Sequence, residues 1–496
     1  MSRSQDQQPD KKSETAVFYQ ALLARDRRFD GRFFTGVHTT GIYCRPICPA
    51  RTPLLKNVDF YKTAAAAEEA GFRPCQRCRP ESAPGTPAWS GTSATVARAL
   101  RLLRAGELDA DEQGLGVLAA RLGIGERRLR QLFAEHIGAS PQAVLRTQRL
   151  DFARRLIDDT ALPMAQVALS AGFGSIRRFN DAVKRRFGKP PGELRKRRRS
   201  ASSTDSDSGA LTLRLPYRPP YAWEPLLAFL AARANPGVEA VEGSAYLRTF
   251  RSGGSEGWLA VRPASDPSES SLELHLHLTP GAELGAGLMD TVERVRMQFD
   301  LEADPLRIAS QLGQDPRLAP LVAAQPGLRV PGGFDGFELA VRAILGQQVS
   351  VKGATTLSGR LVQHFGKPLA ASDARPAQLT HLFPSPDVLA TAELTQIGIP
   401  RARAAALRGL AEAVAAGRLM LSSSADVAQT VKTLLALPGV GPWTAQYIAM
   451  RVLRDPDAFP ATDLVLARML SGGEPDAEPW RPWRAYAALY LWNSIA

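Results

Sequence analysis

No stretch of the chain approaches the ~18 uninterrupted apolar residues of a membrane span. The polar opening, Met1 to Glu14, lacks the apolar core of a secretion signal, so a cytoplasmic protein is expected. Cysteine is confined to Cys44, Cys48, Cys75 and Cys78, which limits thiol chemistry to one short segment. An excess of basic charge is missing from most of the chain. Residues 1–200 hold 36 Lys+Arg against 20 Asp+Glu, whereas the other 296 hold 26 against 29. The overall net charge of +13 therefore belongs to the first part, the footprint of a nucleic-acid binder joined to something else. At 44% hydrophobic and 22% charged, the composition excludes wholesale disorder and fibrous repeats. The length of 496 residues suggests about three domains on a prior of ~150 residues each.

The cysteines form a C-x3-C pair and a C-x2-C pair separated by 26 residues. Two disulfides are the plainer reading, but a reducing cytosol disfavours them. Two short-spaced pairs suit one tetrahedral Zn²⁺, each supplying an edge of the tetrahedron.

Composition and periodicity divide the chain. Residues 1–14 read as a disordered lead and 15–82 as a small α/β zinc domain, with strands such as Val58–Tyr61. A Pro/Gly/Ser-rich linker covers Ser82 to Ser93. Residues 94–198 show helical spacing throughout, about seven helices, ending in the basic run Arg195–Arg199 and a Ser/Asp-rich linker over 199–210. Alternation at Tyr246–Phe250, Trp258–Val261 and Leu272–Leu278 makes 211–288 a small α/β domain. From Met289 to the end, 289–496, the pattern is helical.

Within 94–198 two segments, 115–141 and 163–191, repeat one plan: a short apolar helix, a Gly turn, a basic helix, then Phe, Gly and Pro. Gly123 and Gly172 fit tight turns where a Cβ would obstruct. The basic helices Glu126–His136 and Ser175–Phe187 offer a core-packed side and an outer side able to reach bases and phosphates. One charged helix face is usually just solvated; two in tandem within the basic part argue for DNA. The phrase AGFGSIRRFNDAVKRRFGKPP resembles the AraC family of tandem helix-turn-helix domains. That resemblance implies DNA contacts from Arg127, Arg128, Arg130, Ser175, Arg177 and Arg178.

The cysteine segment, TTGIYCRPICPARTPLLKNVDFYKTAAAAEEAGFRPCQRCRPE, resembles the N-terminal domain of the Ada family. The resemblance implies that Cys44 irreversibly accepts a methyl group from a methylated DNA phosphate and so switches on transcription. Chemistry agrees: four thiolates on one Zn²⁺ leave two negative charges in excess and stay nucleophilic at neutral pH. Arg45, Arg73, Arg77 and Arg79 are placed to seat a phosphate. A purely structural zinc is the bland alternative. Methylation would remove one negative charge and lessen repulsion of promoter DNA. The Ada family also has a C-terminal Pro-Cys-His-Arg methyl acceptor; with no cysteine after Cys78, repair of O6-alkylguanine by self-methylation is excluded.

Further on, Leu437-Pro-Gly-Val-Gly441 reads as a glycine hairpin between helices, placing backbone N–H groups of Gly439 and Gly441 near a phosphate. Asp463 follows 22 residues after Gly441. A carboxylate beside C1′ would stabilise the oxocarbenium-like transition state of N-glycoside cleavage; the plainer role is a helix cap. This arrangement, with PPYAWEPLLAFLAARA, GLRVPGGFDGFELAVRAILGQQVS and WRPWRAYAALYLW, resembles the AlkA family of helix-hairpin-helix DNA glycosylases over ~211–496. The resemblance implies Asp463 as the carboxylate and Phe229, Trp443, Tyr447 and Trp492 as base-stacking aromatics, though aromatics on helices are more often core. It also implies Gln348, where the family carries a leucine, as filler of the gap left by a flipped base, and a TATA-binding-protein-like fold for 211–288. Bifunctional relatives carry a Schiff-base lysine at the position of Trp443, so simple hydrolysis without strand nicking is expected. Leu464 replaces a family aromatic after the Asp, which suggests altered selectivity.

The expected protein is multidomain and binds double-stranded DNA. It would hold one Zn²⁺, require no cofactor for base release, contact RNA polymerase when activating, avoid membranes and act as a monomer. Two alternatives stay open: an activator whose glycosylase half only docks on damaged DNA, and a repair enzyme whose first third merely anchors it.

Overall fold

The computed structural model describes residues 11–84, 94–104, 112–199, 211–266, 268–279, 287–370, 375–470 and 477–494. The chain opens with helix α1 (Lys11–Ala24), followed by β1 (Phe34–Val37), β2 (Ile42–Cys44), β3 (Val58–Tyr61), α2 (Ala64–Glu69) and β4 (Arg73–Pro74). The strands lie in the order β3-β1-β2-β4, antiparallel except for the last pair. The lead expected to run to residue 14 turns helical at Lys11; residues 1–10 lie outside the described residues. The helix gains a tertiary partner that composition could not show: Phe18 stacks on Phe33 at 4.3 Å, and Ala21 and Leu22 are buried.

The next unit comprises α3 (Ala94–Arg104), α4 (Glu112–Arg121), α5 (Glu126–His136), α6 (Pro141–Asp159), α7 (Met164–Ser170), α8 (Ile176–Phe187) and α9 (Pro191–Arg199). Pairs α4–α5 and α7–α8 form the two helix-turn-helix units around the long α6. Ser140 and Ser175 cap the N-termini of α6 and α8, each hydroxyl accepting a backbone N–H of the first turn. The expected crowding is met at Gly172, where a Cβ would come within 3.0 Å of Arg149 Nε, and not at Gly123. Gly123 and Gly172 sit at φ +69° and +76°, but a Cβ on Gly123 would meet open space. Left-handed backbone, not crowding, selects glycine at Gly123. Most of the linker read at Ser82 to Ser93, and residues 200–210 of the later one, lie outside the described residues.

The second half begins with β5 (Leu211–Pro216), α10 (Trp223–Arg233), β6 (Glu239–Glu242), β7 (Ala245–Ser252), β8 (Ser255–Pro263) and β9 (Ser271–Leu278). They build an antiparallel sheet ordered β5-β9-β8-β7-β6. Helices α11 (Gly287–Gln298), α12 (Pro305–Leu312), α13 (Ala319–Ala324), α14 (Gly336–Leu345) and α15 (Val351–Phe365) follow. After the short ladder β10 (Lys367–Pro368) and β11 (His381–Leu382) come α16 (Pro386–Thr391), α17 (Arg401–Ala415), α18 (Val427–Leu435), α19 (Pro442–Arg451), α20 (Leu464–Met469) and α21 (Arg484–Asn493). No described helix is long and apolar enough to cross a membrane.

The cores do not part where the sequence does. Phe152, Leu156 and Val167 of the helix-turn-helix unit share one buried cluster with Leu213, Leu272 and Leu274 of the sheet. Polar ties cross as well: Arg32 pairs with Asp304 at 3.1 Å, Arg104 pairs with Glu302, and Arg98 Nε donates to Ser424 O at 2.7 Å. A separate core closes around α14, α17, α19 and α21, and it positions the second site.

Candidate functional site

The four thiols converge. One sulfur from each of Cys44, Cys48, Cys75 and Cys78 lies within 4.8 Å of every other, and the Sγ atoms of Cys48 and Cys75 are 4.0 Å apart. Sulfurs bound to Zn²⁺ at ~2.3 Å in a tetrahedron sit about 3.8 Å apart, so the donor set fits one Zn²⁺. Cys44 enters from the end of β2, and the parallel β2–β4 pairing brings Cys75 alongside. Arg45 N–H also donates to Cys78 Sγ at 3.3 Å. Cys48, Cys75 and Cys78 are buried, each 7% exposed, while Cys44 is partly open.

Cys44 borders a cleft of about 770 Å³ flanked by Arg51, Arg73 and Arg77. Of the four arginines proposed from sequence, Arg45 and Arg79 are otherwise engaged. Arg45 pairs with Asp30 and donates to Cys78 O, and Arg79 pairs with Glu81 and Asp158. Sequence reasoning passed over Arg51, whose only signal was its place in the segment between the cysteine pairs.

Arg127, Arg128, Arg130, Ser175, Arg177 and Arg178 are all exposed. Arg130 pairs with Glu126 one turn back at 3.1 Å, and the Ser175 hydroxyl accepts from Arg178 N–H at 3.2 Å. The core-packed side of α5 carries Leu129, Leu132 and Phe133, and that of α8 carries Phe179 and Val183.

The hairpin Leu437–Gly441 joins α18 to α19. Gly439 sits at φ +82°, where a Cβ would also come within 2.8 Å of Ala406 Cβ. Gly441 caps α19, and its missing Cβ leaves open space. The first amide of α19 to donate within the helix is Ala445, to Gly441 O, so the amides before it lie at the positive end of the helix without an acceptor in the helix itself.

Asp463 caps α20 with one oxygen: Oδ1 accepts from Val465 N–H at 3.0 Å, Leu466 N–H at 3.1 Å and Trp492 Nε1 at 3.1 Å. Its other oxygen, Oδ2, accepts from Trp443 Nε1 at 2.7 Å. Cap and indole clamp therefore coexist on one carboxylate. Trp443 stacks on Tyr447 at 5.0 Å and 13°, and Tyr447 lies 6.4 Å from Trp492. Three of the four expected aromatics thus surround Asp463. Phe229 packs against the same core as Tyr447 and Trp492 and lies beneath arginines: Arg233 Cζ is 3.7 Å and Arg451 Cζ 4.9 Å from its ring centre. A guanidinium therefore covers the ring that sequence offered as a stacking face. Burial raises the Tyr447 phenol, yet Arg451, Arg233 and Arg342 outweigh it and hold its pKa below the ordinary tyrosine value.

Gln348 is exposed at φ +56°, a left-handed conformation unusual outside glycine, in the loop between α14 and α15. Its neighbour Gln347 went unnoticed in the sequence. Gln347 Nε2 donates to Gly439 O at 2.9 Å and Thr444 Oγ1 at 3.0 Å, while Arg403 donates to Gln347 O at 2.6 Å. The loop is thereby tied to the hairpin. Leu464, beside Asp463, is 74% exposed.

A thiol metal centre and tandem helix-turn-helix units, joined to a helix-hairpin-helix domain with a clamped Asp, define a multidomain DNA-binding repair protein. Four family models match: "Metal binding domain of Ada" over 17–81, "Helix-turn-helix domain" over 118–197, "AlkA N-terminal domain" over 212–335, and "HhH-GPD superfamily base excision DNA repair protein" over 341–472. The chain is 44% identical over 96% of its length to the "Probable bifunctional transcriptional activator/DNA repair enzyme AlkA" of Mycobacterium tuberculosis, covering 96% of that protein. It is 39% identical to "DNA-3-methyladenine glycosylase 2" of Escherichia coli, over 56% of this chain and 95% of that protein. It is also 39% identical to the "Bifunctional transcriptional activator/DNA repair enzyme Ada" of Escherichia coli, over 31% of this chain and 42% of that protein. The chain belongs to the family of the bifunctional transcriptional activator/DNA repair enzyme AlkA.

Proposed function

We propose that the protein is a monofunctional DNA glycosylase for alkylated bases of the 3-methyladenine and 7-methylguanine class, joined to a zinc-thiolate sensor of methylated DNA phosphates. The observation that carries the glycosylase reading is the Asp463 carboxylate, held by two indole N–H groups just beyond a helix-hairpin-helix. The flipped base would stack among Trp443, Tyr447 and Trp492, with Phe229 behind its arginines. Gln348 would fill the gap in the duplex, and Gly439 and Gly441 would present the hairpin to a phosphate. As the C1′–N bond breaks, its electron pair leaves with the base and positive charge grows on the sugar. Asp463 Oδ2 faces that charge, and water completes the hydrolysis. No lysine stands at Trp443, so no Schiff base forms.

At the other site Cys44 is the acceptor, because it is the partly open thiol of the four. Cys44, Cys48, Cys75 and Cys78 would hold Zn²⁺, which when bound keeps the sulfurs deprotonated. The Cys44 Sγ–CH₃ bond forms, the CH₃–O bond breaks, and the phosphate leaves as a diester anion. One negative charge is lost from the centre, and Arg127, Arg128, Arg130, Ser175, Arg177 and Arg178 then hold the promoter more tightly. The chain divides functionally at 15–82, 94–198, 211–288 and 289–496, acts as a monomer in the cytoplasm on the nucleoid, and contacts RNA polymerase as an activator. The reading of a half that only docks on damage finds less support, since carboxylate, hairpin and indoles are all in place.

Incubating the purified chain with methylated duplex DNA tests the reading. Free methylated bases should appear, together with abasic sites that break only on alkali treatment. A borohydride-trapped covalent complex would contradict it.

A further inference from the structure

The cleft beside Cys44 has two sides, and only one belongs to the zinc unit. Arg51, Arg73 and Arg77 come from the zinc unit; Arg186 comes from the last turn of α8, the second basic helix of the tandem pair, and Lys189 from just beyond its C-cap. Gly188 ends α8 at φ +73°, a left-handed cap that turns the chain and sets Lys189 on the cleft. No Asp or Glu is among the described residues lining this space, so the only acidic groups that its basic side chains share it with are the cysteine thiols themselves.

Arg186 fixes that second side. Its side chain is 5% exposed and pairs with Asp151 and Glu68, both at 2.7 Å. It donates to Thr147 O at 3.0 Å and to the Tyr43 hydroxyl at 3.3 Å, while that hydroxyl donates to Glu68 at 2.7 Å. Tyr43 immediately precedes Cys44 in β2. Two carboxylates neutralise Arg186, so the cation left to act on a ligand from the α8 side is Lys189.

We propose that the methyl-accepting cleft is a two-unit phosphate site in which Lys189, just beyond the second recognition helix, binds the DNA phosphate opposite Arg51, Arg73 and Arg77. The ligand class is a backbone phosphate of duplex DNA. Engagement of α8 with the duplex and delivery of a phosphate to Cys44 are then parts of one docking event. The inference rests on the reading of Cys44 as acceptor.

The experiment compares two methyl donors on the full-length zinc protein, with methylation of Cys44 followed by mass mapping. One donor is duplex DNA bearing a methylphosphotriester; the other is methyl iodide, which has no phosphate to bind. Lys189→Ala should slow transfer from DNA about tenfold, equivalent to ~1.4 kcal/mol, while transfer from methyl iodide and zinc content match the wild type. Lys189→Arg should restore the DNA rate. An unchanged DNA rate in Lys189→Ala, or equal slowing with both donors, overturns the proposal. A wild-type protein methylated at Cys44 by neither donor overturns the acceptor reading itself, a distinguishable failure.

Discussion

Replacing Gln347 by Ala separates the fold of the second half from its grip on DNA. The side-chain amide uses both of its hydrogens, one on Gly439 O at 2.9 Å and one on Thr444 Oγ1 at 3.0 Å. The bond from Arg403 goes to the backbone and survives the change. Each lost bond is worth about 0.5–1.5 kcal/mol net, so about 1–3 kcal/mol of loop-to-hairpin coupling disappears. If that coupling also holds the loop in place as it enters the duplex, single-turnover base release falls about tenfold to a hundredfold. Both bonds exist without DNA, so thermal stability should fall by at most about the same 1–3 kcal/mol, with no cavity in the core to add to it. Gln347→Glu should be worse, since a carboxylate would face the Gly439 carbonyl across the same gap. The assay pairs base release from methylated duplex with a fluorescent base analogue that reports flipping. Wild-type release by Gln347→Ala would refute the reasoning, as would a loss fully explained by a lowered Tm.

Two further outcomes concern the first site. Replacing Cys75 and Cys78 together by Ser should abolish stoichiometric zinc, read by elemental analysis, and unfold the segment around residues 34–78, because the metal supplies much of the folding free energy of so small a unit. Exposure to DNA carrying methylated phosphates should add one methyl, at Cys44, and raise promoter affinity with an altered salt dependence. A methyl mapped to Cys48, Cys75 or Cys78, the buried thiols, would contradict the accessibility argument.

What was legible in the sequence was local. Two cysteine pairs at short spacing announce a metal centre because the chain itself brings each pair together. The basic helices were readable for the same reason: apolar period and turn glycine lie within one segment, whereas the capping of α8 by Ser175, read only as a DNA contact, came from the structure. Long-range pairing was not legible. Arg45 looked available for phosphate because its partner Asp30 lies 15 residues away; Arg79 has Asp158 79 residues on, but also Glu81 only two residues away. Gln347 meets the hairpin 92 residues further on, and nothing in its own segment marks that contact. The shared core of the helix-turn-helix unit and the five-stranded sheet escaped notice because the intervening polar linker argued for separation. At Asp463 a helix cap and a catalytic carboxylate read as alternatives in the sequence, yet the cap uses only Oδ1, while Oδ2 is held by the Trp443 indole.

The central claim rests on Asp463, and Asp463→Asn tests it most directly. Asn can keep Oδ1 as acceptor for Val465, Leu466 and Trp492, so the cap and the fold should hold. Its amide would instead face the Trp443 N–H across the 2.7 Å contact, and the negative charge opposite the forming oxocarbenium would be gone. Single-turnover release of methylated bases should fall by about 10²–10³-fold or more, while binding to duplex DNA containing an abasic analogue stays near wild type. Release at close to the wild-type rate would show that Asp463 serves only to cap α20 and would contradict the account.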